Sequence, residues 1–191
     1  MGETNVLTLI DGYVNTVNDA QPGGGSSPGL IPGQLGKIQY FEALDLPVRA
    51  ASGDVACYEG EYQYVQTQAL GTISPIAGMP AFWHDKDNFI VKADLPTDPA
   101  NIAGVFVNAV TKGNYCLIKR SGDVQAKFLS STTKATPAIG DAAIVGGTGN
   151  LFDVLADATA VTEGSFPPHA AVLQSAVASQ FARVTLSPIA R

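Results

Sequence analysis

The sequence predicts a mainly β protein: a β-sandwich or β-barrel-like domain preceded by an extended N-terminal arm. Three observations carry that prediction. Charged residues make up only 15% of the chain, whereas 20 glycines and 12 prolines accompany many alanines, valines and threonines. That composition favours short strands and turns over long salt-bridged helices. Beyond residue 36 apolar side chains recur with a period close to two, interrupted by turn clusters, which is the pattern of half-buried strands. Before that point lies QPGGGSSPGLIPGQLG, residues 21–36, where glycine frees the backbone and proline denies both helix and interior strand.

The elements follow in chain order. Residues 1–36 comprise the arm and its linker, and residues 37–191 the body domain. In the arm, Val6, Ile10, Tyr13, Val14 and Val17 fall at helical spacing on one face. The same piece contains Val-Leu-Thr-Leu-Ile, so an extended strand fits nearly as well. In either form the arm is too apolar for a solubilising tail and too short to bury its own face. The arm therefore needs a surface to dock on, and these five residues are the candidates for that contact. Fully extended, the linker would span at most about 55 Å.

In the body, strands are predicted near residues 37–43, 55–58, 62–68, 80–83, 89–92, 102–108, 115–119, 124–129, 142–145, 151–155 and 181–186. The most legible stretch is NYCLIKRSGDVQAKFLS, residues 114–130, which reads as a β-hairpin turning at Arg120-Ser121-Gly122-Asp123. The pattern SGDVA, SGDVQ and IGDAA recurs at Ser52, Ser121 and Ile139. There glycine bends the backbone and aspartate can bond nearby amides before a strand. Residues 170–182, AAVLQSAVASQFA, are compatible with a short helix or a strand.

Charge and motifs narrow the function. The formal net charge is −6, and residues 1–36 hold Glu3, Asp11 and Asp19 but no Lys or Arg. Phosphate binding needs clustered cations, so nucleic acid is not an expected partner. No apolar run approaches the roughly 18–20 residues that span a bilayer, and no basic segment followed by an apolar one opens the chain. A membrane is likewise not expected. Cys57 and Cys116 are too few for a disulfide framework and fall in strand-like surroundings, as buried free cysteines do, and a bond between the two stays open.

Catalytic parts are sparse. His84 in FWHDKDN and His169 in FPPHAA have no companion at metal-ligand spacing. Gly146-Gly147-Thr148-Gly149 lacks the Lys-Ser/Thr ending of a phosphate loop. Asp85 and Asp87 could form an acid–base pair beside Trp83, but they flank Lys86 in what reads as a solvated hairpin tip. The sequence thus predicts no enzyme, no catalytic residue, no cofactor and no metal site.

One resemblance adds to this reading. The runs GMPAFWHDKDNFIVKADLP, IAGVFVNAVTKGNYCLIKRSGDVQAKF and ATPAIGDAAIV, within residues 78–145, resemble the body of capsid decoration (cement) proteins of tailed bacteriophages. The resemblance covers roughly a third of the chain. It implies a β-rich structural virion protein on the outer capsid surface, assembled in the host cytoplasm, often a homotrimer, with the major capsid protein as partner and a role in bridging capsid subunits. The rival reading is a carbohydrate-binding β-sandwich module or fibre component, with Trp83, Tyr115, Tyr62 and Tyr64 as stacking platforms.

Overall fold

The computed structural model describes residues 35–41, 59–95, 101–128, 137–145, 151–154, 170–172 and 181–186. The described residues form eleven strands and no helix, in agreement with the mainly β prediction. They are β1 (Ile38–Phe41), β2 (Gly60–Thr67), β3 (Pro80–Asp85), β4 (Ile90–Lys92), β5 (Ile102–Phe106), β6 (Tyr115–Lys119), β7 (Gly122–Lys127), β8 (Ala142–Val145), β9 (Phe152–Val154), β10 (Ala170–Val172) and β11 (Phe181–Leu186). The expected strand over residues 55–58 and the arm over residues 1–34 lie outside the described residues.

Strands β2, β4, β3, β5 and β6 hydrogen-bond in that order, and β6 returns to β2, so the sheet closes into a five-stranded barrel. β2 is its key strand. On one side it pairs with β6, from Tyr62↔Lys119 to Gln66↔Tyr115. The opposite edge is divided: its first half takes β1 antiparallel, from Ile38↔Gln63 to Phe41↔Gly60, and its end takes β4 parallel at Gln66↔Ile90 and Thr67↔Val91. Register shifts in β3, between Ala81 and Phe82 on one side and between Trp83 and Asp85 on the other, supply the sharp bending that so small a barrel demands.

Side-chain alternation then separates two cores. Val65, Ala81, Trp83, Val91, Cys116 and Ile118 belong to the cluster that fills the barrel. Their neighbours Tyr62, Tyr64 and Leu117 point the other way and meet Val124, Phe128, Val184 and Leu186 of the second sheet. Each buried side chain of this size contributes up to about 1.5–3 kcal/mol.

The second sheet runs β7-β11-β10-β8-β9, with β11 alternately half-buried and buried along its length. Phe128, just past β7, and Phe152 in β9 form a single parallel bridge with ring centroids 6.0 Å apart. That bridge brings the two edges of the sheet together.

The structure corrects the hairpin expected at residues 114–130. β6 pairs with β2 and β5, whereas β7 pairs with β11, so the turn between them carries the chain from one sheet to the other. Arg120 N–H still follows β2, donating to Glu61 O at 2.8 Å, while Gly122 swings out at φ 79°. A Cβ on Gly122 would lie 2.8 Å from Glu59 O, so only glycine lets the turn pass this close to the start of β2. Asp123 departs from local turn bonding as well: its carboxylate accepts from Arg183 and Thr185 on β11. Asp141 keeps the predicted role, accepting from Ala138 N–H at 2.7 Å, with Gly140 beside it in the turn.

Candidate functional site

Leu35 and Gly36, the end of the stretch read as linker, are held on the body. Leu35 packs against the inter-sheet core. Gly36 N–H donates to Tyr64 O at 2.8 Å, and Gly36 O accepts from Gln63 Nε2 at 2.9 Å. On the other side of the same edge, Gln66 N–H donates to Phe89 O at 3.0 Å. Between these two anchor points, where the edge of β2 passes from β1 to β4, a cavity of about 540 Å³ opens at one end of the barrel.

Its walls follow from strand phase. Gln63 sits two residues before the barrel-filling Val65, Arg120 two residues after Ile118, and Trp83 two residues after Ala81. All three therefore continue the inward-facing rows, and all line the cavity. They are 3%, 4% and 6% exposed. Gln63 Oε1 is buried with no partner among the described residues.

Gly36 and Ile38 form one lip. The opposite lip is the tip of the β3–β4 hairpin, with Lys86 and Asp87 exposed and Phe89 half-buried. Phe89 has φ 55°, a conformation that is costly for a bulky residue. Gly36 stands at φ 81°, and a Cβ there would collide with the Phe89 ring. The pair is thus mutually fitted: the ring occupies the space that a side chain at residue 36 would need.

The predicted site residues fare differently. Val6, Ile10, Tyr13, Val14 and Val17 lie outside the described residues, as do Cys57 and His169. Cys116 is buried in the barrel, and burial pushes its thiol pKa far up. His84 is exposed, 3.3 Å from Gln68 Nε2.

Asp85 accepts from Asn88 Nδ2 at 2.7 Å and from Asn88 N–H at 3.1 Å. The side-chain bond first, and the backbone bond second, hold its carboxyl below the ordinary aspartate range. It therefore ties a turn, as the hairpin-tip reading expects. Asp94 has a similar part, accepting from Thr72 N–H and Ile73 N–H at 3.1 and 3.2 Å. Among the described residues no group of three or more His, Cys, Asp or Glu side chains is placed to hold a metal ion.

The three tyrosine platforms of the rival reading are corrected, whereas Trp83 lines the cavity. Tyr62 and Tyr64 are 0% and 2% exposed, and half-buried Tyr115 stacks on Tyr64 at 5.9 Å. These tyrosines pack the inter-sheet core, and the register that pairs β2 with β6 puts them there. Gly36, Gln63, Phe89 and Arg120 escaped sequence reasoning. The available signal was Arg120, a charged residue that continues the apolar inward row of Cys116 and Ile118.

No family model matches the chain, and no curated protein matches it. Among solved structures, it is similar to the head fiber gp8.5 N base in bacteriophage phi29, at 13% identity and a TM-score of 0.40, over 66% of this chain and 94% of that one. That degree of likeness transfers no function.

Proposed function

We propose that the protein is a non-catalytic structural component of a tailed-bacteriophage virion, which binds the outer surface of the capsid and reinforces contacts between capsid subunits. The observation that supports this reading most is the fate of the segments that resemble decoration proteins. They supply β3, β4, β5, β6, β7 and β8, and several of the reactive side chains in them are used internally. Cys116 is buried, Asp123 is paired with Arg183, and Lys119 is wholly enclosed. What such a body offers to partners is surface. A homotrimer bearing three apolar arms would attach multivalently, and avidity would sum weak contacts with the major capsid protein.

The test is co-sedimentation of the full chain with undecorated capsids, beside a variant carrying Ile10→Asp and Val14→Asp. Charge placed in an apolar contact is strongly unfavourable, so the variant should lose attachment while the free protein keeps its melting temperature. Wild-type protein that stays in the supernatant would sink the capsid reading. Undiminished attachment of the variant would remove the arm from it.

A further inference from the structure

We propose that the cavity at the barrel end is a binding site for a neutral polyhydroxylated ligand, a single pyranose residue of a glycan. Its volume of about 540 Å³ falls within the range of small-molecule sites, and barrel mouths are recurrent places for them. The lining selects the chemistry. Gln63 Oε1 and the Asp87 carboxylate present acceptors, while Lys86 and Arg120 carry only donors.

A hydrocarbon would leave the buried Gln63 oxygen without a donor. A simple anion would face two acceptors, and a simple cation two positive groups. A sugar hydroxyl both donates and accepts, so hydroxyls arranged around one ring can meet the Gln63 oxygen, the Asp87 carboxylate and the Lys86 amine together. The apolar face of the same ring matches the Phe89 ring at the lip and Trp83 in the wall.

The strained lip supports the assignment. Phe89 holds φ 55° with its ring against Gly36, and strain of this kind concentrates at ligand clamps. The site differs from the tyrosine platforms rejected above and does not depend on capsid attachment.

The chain has one tryptophan, Trp83, so its fluorescence reports directly on the cavity. The experiment titrates the full chain with methyl glycosides of glucose, galactose, mannose and N-acetylglucosamine, reading Trp83 emission and saturation-transfer NMR. At least one glycoside should give a saturable change. Asp87→Ala, at an exposed position, should weaken that binding about tenfold, the effect of losing one hydrogen bond to a charged group, with the melting temperature unchanged. Gln63→Leu should weaken it too, and folding of this variant is checked by circular dichroism. The proposal is overturned if no glycoside saturates, if Asp87→Ala binds as the wild type does, or if only indole, inorganic phosphate or a blocked dipeptide saturates the signal.

Discussion

The side-chain nitrogen of Lys119 lies 4.5 Å from the ring centroid of Tyr62 and 3.2 Å from its hydroxyl, and both residues are completely buried. They stand opposite each other where β2 and β6 close the barrel, and Lys119 Nζ also donates to Glu59 O at 2.6 Å. A buried amine is tolerated only with such partners. Lys119→Met should cost about 1–3 kcal/mol by leaving acceptors unfilled, and Tyr62→Phe about 1 kcal/mol. The double variant should lose less than the sum, because the two share one interaction. Urea denaturation of the four proteins measures this, and strict additivity would contradict it.

Truncation locates the start of the body. Removal of residues 1–34 should leave one cooperative unfolding transition, because the ties of Leu35 and Gly36 to the body remain. Removal of residues 1–41 also deletes β1, its bonds to β2 and the packing of Leu35, and should cost a further ~3 kcal/mol. Equal melting temperatures for the two truncations would place the start of the body beyond β1.

The hairpin tip should show its hydrogen bonds in a titration. Asp85 has a carboxyl pKa held below the ordinary range by Asn88. A folded pKa below the unfolded one means that the stabilisation is present at neutral pH and is lost as pH falls through the folded value. Carboxyl-carbon NMR should therefore find a depressed midpoint for Asp85, and Asn88→Ala should move it back up. An unchanged midpoint in Asn88→Ala would assign the shift to another cause.

In a Cys57→Ser variant, Cys116 is the remaining thiol. Burial disfavours its thiolate, the reactive form, so an aromatic disulfide reagent at mildly alkaline pH should label it only after denaturant is added. Rapid labelling of the native protein would show that the barrel opens readily.

Period and turn chemistry made the strands legible where one face is buried: residues 115–119, 142–145 and 181–186 coincide with β6, β8 and β11. Pairing was less legible. The turn at residues 120–123 has the composition of a hairpin, yet its outcome depends on Glu59 and Glu61, some sixty positions upstream, which hold the turn against β2. β10 was hidden because Ala170 and Ala171 carry no strand signature of their own; strand form comes from pairing with β8 and β11. The cavity was invisible for a related reason. Gly36, Gln63, Phe89 and Arg120 are scattered along the chain, and only the divided edge of β2 gathers them.

The two sheets also impose an order in time. β7 leaves the ribosome before β8, β9 and β10, but its ladder partner is β11, so Asp123 waits 62 residues for the Thr185 hydroxyl. The barrel strands β2 to β6 are all synthesised before β7 and can close first. Their outward tyrosines Tyr62 and Tyr64 then lack Val184 and Leu186, part of the cluster that covers them, until β11 emerges. Non-local pairing of this kind slows folding and prolongs the exposure of apolar surface. Synthesis thus passes through a stage in which a finished barrel carries half of an unfinished interface, and aggregation during expression is to be looked for at that stage.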